Sequence, residues 1–435
     1  MQDYQSIDII GGGIIGVTLA TELLREIRQN KLSTEVHLYE KLGQLGIGNT
    51  EKSIEGVRPY WFTSEEIRFY MASIYVMRDL AAHFGEDGYF GANDPNRVSL
   101  TSSYKPKGYH YFLREDEFQN AQEKKALFDQ EGVRIEFRTK DEAKEIQWIE
   151  NNFDLDSCDN NRKQAIVGYV NVPVAGFVSV GDIVASYRAV YEKLGGHLHL
   201  NTEVTGFETS GNRLTAIQYR TDPKEDVEVK PTDCVINAAG VWSEALTGMA
   251  LGETLGITPH RRIVHVVKPP KGYMTDHGLV ILKKRMVRPD EDKIWLYFSP
   301  EEEEVGIQET QPDNSVFDDY FFEFLYPVLC DENRPFIRRA GEIGLYSGSD
   351  SRGWMGHYAD TPDERPLIGA PRPDKLINFA VSTGYSGHGV MGSIASALGL
   401  THQLLELSGS PKVIIPEIYS ARRDPTIHKP DASQL

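Results

Sequence analysis

Ile7-Asp8-Ile9-Ile10-Gly11-Gly12-Gly13-Ile14-Ile15-Gly16-Val17-Thr18-Leu19-Ala20 is the stretch whose reading decides the fold. An apolar strand opening at Ile7 closes in a turn whose glycines at 11, 13 and 16 satisfy G-x-G-x-x-G. The first glycine allows a tight turn, the second lets a pyrophosphate approach the backbone, and the third lets the following helix pack closely on the strand. That helix begins at once with Val17 to Leu24, so its unpaired N–H groups point at any anion seated in the turn. A second strand, Glu35 to Tyr39, ends in Glu40, whose carboxylate is placed to accept hydrogen bonds from the hydroxyls of an adenosine ribose and to repel a 2′-phosphate. Strand, turn, helix, strand and terminal acid together point to a bound adenine dinucleotide.

At 435 residues the chain suits two or three lobes with ample core. Its 64 acidic against 46 basic residues give a formal charge of -18, which disfavours nucleic acid or an anionic membrane as partner. Cys158, Cys234 and Cys330 are far apart and odd in number, a pattern of a reducing compartment with no disulfide framework or metal cluster. Met1 stands too close to the first strand for a signal peptide, and no apolar run reaches the ~18 residues of a membrane span. A cytoplasmic protein is expected, and the sequence sets no oligomeric state.

From Lys41 to Pro59 runs a glycine-rich polar stretch too long for a simple connector, followed by a helix opened by a capping box of Thr63 and Glu66. From Val98 to Val174 the texture changes. A strand at Tyr109 to Leu113, a charged helix over Asp116 to Gln130, a strand at Val133 to Phe137 and an acidic surface loop over Glu150 to Arg162 read as another lobe. The dinucleotide pattern resumes with a helix over Gly181 to Leu194, a strand at His197 to Asn201 and its continuation through Thr202 to Gly206. Strands over Leu214 to Arg220 and Val227 to Lys230 follow. An apolar strand then runs into small residues, Asp233 to Ser243, where a ligand can approach the backbone closely. A second strand-rich lobe segment carries Glu301 to Glu304, read as a solvated hairpin tip, and Arg261 with Arg262, read as a solvated pair. The expected class is α/β: a discontinuous Rossmann-like domain with a second substrate domain on a mixed or antiparallel sheet. The dinucleotide domain takes residues 1–95, 177–250 and 339–410, the substrate domain 96–176 and 251–338, and 411–435 form a tail.

Two late stretches sharpen the cofactor: Trp354-Met355-Gly356-His357-Tyr358-Ala359-Asp360-Thr361-Pro362-Asp363-Glu364-Arg365-Pro366-Leu367-Ile368-Gly369, and Gly384-Tyr385-Ser386-Gly387-His388-Gly389-Val390-Met391 leading into a helix over Gly392 to Leu407. A second glycine-rich helix start suits a flavin, whose reduced ring gains negative charge that a helix N-terminus stabilises. With GGGIIG and Glu40, SIEGVR, TEVTGF and VINAAGVWS, these motifs resemble the D-amino-acid-oxidase-like superfamily of FAD enzymes over nearly the whole chain. Within it the likeness is to the branch of glycine oxidase, sarcosine oxidase and the proline dehydrogenase β-subunit.

The resemblance implies an FAD-dependent amine or amino acid oxidase or dehydrogenase. Such an enzyme passes hydride from a C–N bond to flavin N5, yields an imine, and is reoxidised by O2 or another acceptor. It implies cofactor contacts at Gly11, Gly13, Ile14, Ile15, Gly16, Glu40, Lys41, Ser53, Val204, Ala239, Gly240, Trp242, Gly387, His388, Gly389, Val390 and Met391. Three residues become candidates for the chemistry: Arg58 as a carboxylate clamp, Tyr358 as a substrate hydrogen-bond donor, and His388 presenting backbone and ring to the flavin. There are departures. Gly356 stands where sarcosine oxidase attaches FAD through cysteine, and Ser53 to Gly56 lacks the histidine that sarcosine dehydrogenases use, so non-covalent FAD is expected. Met391 replaces a lysine that anchors carboxylate, and Glu304 stands where an oxygen-activating lysine aligns. The same clamp suits a 2-hydroxy acid, and a flavin subunit of a hetero-oligomeric dehydrogenase is a further alternative. Gly384 to His388 misses the last glycine of a hydrolase elbow. His197-Leu198-His199 lacks a supporting cluster and is read as structural, so no metal is expected.

Overall fold

The opening turn joins β1 (Ser6–Ile10) to α1 (Ile14–Gln29), and β2 (Glu35–Tyr39) lies parallel to β1 with Ile7 opposite Val36 and Ile9 opposite Leu38. The computed structural model describes residues 4–85, 104–144, 166–223, 225–267, 277–282, 285–290, 293–298, 305–307 and 353–426. The Glu150 to Arg162 loop, the Glu301 to Glu304 run, Cys158 and Cys330 lie outside the described residues.

Further along come α2 (Ser64–Arg78), β3 (Tyr109–Arg114), β4 (Glu136–Thr139), β5 (Ile166–Val172) and α3 (Val180–Lys193). Then follow β6 (His197–His199), β7 (Glu203–Ser210), β8 (Arg213–Arg220), β9 (Glu228–Pro231), β10 (Cys234–Asn237) and α4 (Ser243–Leu251). The remainder holds β11 (Thr258–Val267), β12 (Leu279–Leu282), β13 (Arg285–Asp290), β14 (Lys293–Phe298), β15 (Gly353–Asp360), β16 (Leu367–Gly369), β17 (Phe379–Thr383) and α5 (Gly389–Leu404).

A six-stranded sheet in the order β16-β17-β10-β1-β2-β6 is parallel except for β16. Ile7, Ile9, Val36, Leu38, Val235 and Ile236 are fully buried in it, the near-continuous apolar pattern of strands covered on both faces. Helix α1 packs on α3 and α5, and its Val17, Leu23, Leu24 and Ile27 are buried in the common core. Each such side chain contributes roughly 1.5–3 kcal/mol by leaving water. Thr18 Oγ1 reaches the Ser393 carbonyl at 3.4 Å, so the two glycine-led helices lie against each other.

The strand expected to run on from His197 through Gly206 is two strands. Asn201 turns the chain at φ +52, and the N–H groups of Asn201 and Thr202 donate to the carbonyls of Leu42 and Glu40. These bonds divert the chain from β6 into the separate antiparallel sheet β7-β8-β9. The helix expected over 116–130 is likewise interrupted, at Lys124 (φ -81, ψ -6), into Glu115–Glu123 and Lys125–Gln130.

The second large sheet runs β15-β11-β14-β13-β12-β3-β5-β4 and is antiparallel except for the parallel pair β12 and β3. Gly353–Asp360 belongs to this sheet through its pairing with β11, although the sequence reading grouped 339–410 with the dinucleotide domain. Strand alternation places Tyr111, Arg288, Tyr297, Arg262 and Tyr358 on one face. The chain from Lys52 to Trp61 crosses that face. Trp354 Nε1 donates to the Lys52 carbonyl at 2.8 Å, Arg288 Nη1 donates to that of Ile54 at 2.7 Å, and Tyr60 stacks on Tyr111 at 4.6 Å.

Candidate functional site

Gly11 adopts φ +109, and a Cβ there would lie 2.5 Å from the Ala238 carbonyl oxygen and 2.9 Å from the Ala239 Cα. Only glycine lets the β1 turn and the turn after β10 approach this closely. Gly16 serves the expected packing role, since a Cβ there would run into the Gly11 carbonyl. The residue before α1, Gly13, offers no side-chain cap, and no acid stands in the first turn, so the positive end of α1 is open to an anion.

A continuous channel runs from this turn to the second helix start. Gly11, Gly13, Ile14, Ile15, Glu40, Lys41, Ser53, Val204, Ala239, Gly240 and Trp242 line it, as do Gly387, Gly389 and Val390. Gly16, His388 and Met391 do not. Gly16 lies behind the turn, His388 turns its ring away toward Arg58, and Met391 is buried in the core. At the Glu40 end, the N–H groups of Gly12 and Leu42 donate to the two carboxylate oxygens at 2.7 and 2.8 Å. Each oxygen keeps a lone pair. Burial raises the Glu40 pKa, opposed by these amides. Lys41 Nζ sits 3.9 Å from the centre of the Trp242 ring beside it.

The loop over 41–59 supplies residues that the motifs did not mark. Thr50 Oγ1 accepts from the Ile14 N–H at 3.0 Å and so stands over the mouth of α1. Asn49 Oδ1 accepts from the His357 N–H at 2.9 Å and ties the loop to β15. The polarity and length of that loop were the available signals; its contacts to residues 300 positions away were not.

At the other end, α5 starts at His388 with no side-chain cap and no acid in its first turn. Ser386 precedes it at φ +45, held by donation from the Thr361 N–H to Ser386 Oγ at 3.2 Å. Tyr358 lines the channel against Gly387, stacks on Tyr297 at 6.1 Å and lies under Arg262 at 4.8 Å. Burial holds the Tyr358 phenol well above the ordinary range, so it stays protonated at neutral pH. Arg262 is buried and lines the channel, with Nη2 donating to Asp360 at 3.3 Å. The expectation of a solvated pair is therefore corrected for Arg262. Its neighbour in a strand of polar letters gave no hint that alternation turns this one inward.

Arg58 does not line the channel. Its Nη1 donates to the Tyr60 carbonyl at 2.6 Å, and its Nη2 lies 3.4 Å from His388 Nε2. Trp61 lies 4.8 Å from the guanidinium and Tyr111 6.0 Å. Arg58 is 8 % exposed and meets no carboxylate among the described residues. Burial and, secondarily, the Arg58 charge push the His388 pKa down to about 3, so its ring is neutral. Among the described residues its Nδ1 meets no hydrogen-bond partner, and neither do the buried Tyr111 OH and Trp61 Nε1. Arg58 and His388 are thus brought together, and Tyr358 stands on the channel side of the same turn. Glu304 lies outside the described residues.

Two open helix starts, a glycine-walled middle and a carboxylate at one end make a channel that fits FAD. The family described as FAD dependent oxidoreductase matches residues 7–403. The FAD-dependent oxidoreductase domain-containing protein 1 of Bos taurus is 24% identical over 443 residues, covering 92% of this chain and 80% of that protein. L-proline dehydrogenase from P. horikoshii is similar in fold, with TM-score 0.71 and 22% identity over 99% of this chain and 100% of that one. Glycine oxidase from Bacillus cereus gives TM-score 0.68 and 16% identity, over 92% and 95%. Among the described residues no helix is long and apolar enough to cross a membrane.

Proposed function

The chain belongs to the FAD-dependent oxidoreductase family, and we propose that it oxidises the C–N bond of a carboxylate-bearing amino acid or secondary amine to an imine. O2 or another acceptor takes up the electrons. FAD supplies the two-electron acceptor when bound. Gly11, Gly13, Ile14, Ile15 and Glu40 would hold its ADP half, with Val204 on the adenine side, Ala239, Gly240 and Trp242 along the middle, and Gly387, Gly389 and Val390 toward the ring. Arg58 attracts the substrate carboxylate, and Tyr358 donates to the substrate from the opposite side of the turn. His388, neutral and next to Arg58, adds no second charge to compete for that carboxylate.

The observation that carries this reading is the state of Arg58. A guanidinium withdrawn from water and left without an anion among the described residues costs several kcal/mol, which a bound carboxylate offsets. Three further buried polar atoms nearby also lack partners among the described residues. The reading extends to non-covalent attachment: a Cβ at Gly356 would stand 2.8 Å from the Lys52 Cβ, so the position is occupied by the crossing chain.

The test is anaerobic mixing of the yellow protein with amino acids, N-alkyl amino acids and 2-hydroxy acids. Bleaching of the flavin by an amine with a carboxylate, and not by the matching hydroxy acid, is expected. Bleaching by hydroxy acids alone, or by amines lacking a carboxylate as readily as by those bearing one, refutes the reading.

A further inference from the structure

We propose that Glu35, His37 and His197 form a binding site for a divalent transition metal at the β2–β6 edge of the six-stranded sheet, away from the flavin channel. Residues 35 and 37 alternate onto the same face of β2. The parallel register sets His37 opposite His197 and Tyr39 opposite His199. One carboxylate oxygen and one nitrogen from each of the two rings lie within 4.8 Å of one another. The sequence showed only His197 and His199. The third and fourth members arrive from a strand 160 positions earlier.

His37 is the fixed member. It is 6 % exposed, and its Nε2 is buried, 3.4 Å from Glu35 Oε2, with no hydrogen-bond partner among the described residues. Its other nitrogen, Nδ1, is 3.0 Å from His199 Nε2. A single proton serves that pair. With Nδ1 donating to His199, Nε2 presents a bare lone pair toward Glu35 and His197. A metal-binding histidine usually has its other ring N–H taken up by a carboxylate, a backbone carbonyl or water, and here the His199 ring fills that place. A buried polar atom left unmet is costly, and a metal would meet it.

The other two donors can move. The Glu35 side chain is 60% exposed, and His197 is exposed. In a tetrahedral site, ligand atoms at about 2.0–2.2 Å from the metal stand roughly 3.4 Å from each other. Closing the present cluster requires about an ångström of travel by the exposed groups. The rings of His37 and His197 are 4.5 Å apart and only 16° from parallel, so His197 must also turn about its soft terminal torsion. Two imidazoles and one carboxylate suit zinc and its borderline neighbours rather than magnesium or calcium. Such an ion would clasp the edge strand to β2 just before Glu40, whose N–H donates to the His199 carbonyl at 2.9 Å.

The test is calorimetric titration of chelator-stripped, FAD-loaded protein with zinc chloride, with thermal unfolding in parallel. One zinc per chain is expected, with a rise in unfolding temperature. His197→Ala and Glu35→Gln, both at exposed positions, are each expected to weaken binding at least ~10-fold with flavin content unchanged. Affinity weaker than ~1 mM in the wild type, or affinity unchanged in both variants, overturns the proposal.

Discussion

Replacing Gly11 by alanine tests the dinucleotide turn at its tightest point. The new Cβ meets three backbone atoms, the Ala238 carbonyl oxygen and carbon and the Ala239 Cα, at 2.5, 2.8 and 2.9 Å. Ordinary contact begins at 3.4 Å, so the two turns must part by about 0.5–0.9 Å. None of the three is a flexible side chain. Holding an L-residue at φ +109 costs a further ~1–3 kcal/mol. Both turns line the channel, and a hydrogen bond of ~2.9 Å stretched by that distance is largely lost. One or two charge-assisted bonds at ~1.5–3 kcal/mol each put the loss of FAD affinity at about 10–10⁴-fold. Quenching of flavin fluorescence on titration of apoprotein reads the affinity directly. Gly181→Ala, at an exposed helical site where a Cβ meets nothing within 4 Å, is the control and is expected to bind normally. A Gly11→Ala protein that keeps its FAD affinity within about threefold would show that this turn does not hold the cofactor.

Acid precipitation of the wild type is expected to leave all flavin in the supernatant, as read by absorbance, because no Cys or His side chain occupies Gly356 or the Ser53–Gly56 stretch. Arg58→Gln is expected to raise KM for carboxylated substrates about 10²-fold with a smaller change in kcat, the worth of one charge-assisted pair; steady-state kinetics and inhibition by simple carboxylates check it. His388, held near about 3 against an unfolded value of about 6.5, takes up protons on unfolding before it does so folded. Its contribution to stability is therefore complete above pH ~6.5 and is lost as pH falls toward ~3. Urea midpoints at pH 7 and 5 are expected to fall less in His388→Asn than in the wild type.

The parts of the site that the sequence displayed are those built from local geometry. The turn at 11–16, the acid ending β2 and the glycines before α5 carry their reasons in their immediate neighbours. What stayed hidden depends on distant pairing. Arg262 faces inward only because β11 registers with β15 so that Arg262 opposes Gly356. Thr50 matters because its loop folds back over α1. Glu66 was legible as half of a capping box, and Thr63 does accept its N–H at 3.2 Å. One carboxylate oxygen accepts from Thr63 Oγ1 at 3.0 Å, and the other takes Arg365 and Tyr419 from the far end of the chain at 3.2 Å each. No spacing rule reports such a bond. Likewise the strand ending at Asn201 looked continuous because its apolar rhythm persists while the backbone reverses sign.

The contact of Thr18 with Ser393 bears on biosynthesis. A ribosome that has translated the first 350 codons has released a complete opening turn and its helix, yet the surface that α5 covers is bare and the flavin-facing half of the binding wall does not exist. The residues expected to hold the ADP half are already made by then, whereas those expected to face the ring, Gly387 to Val390, are not, so complete cofactor binding is expected only once α5 has formed.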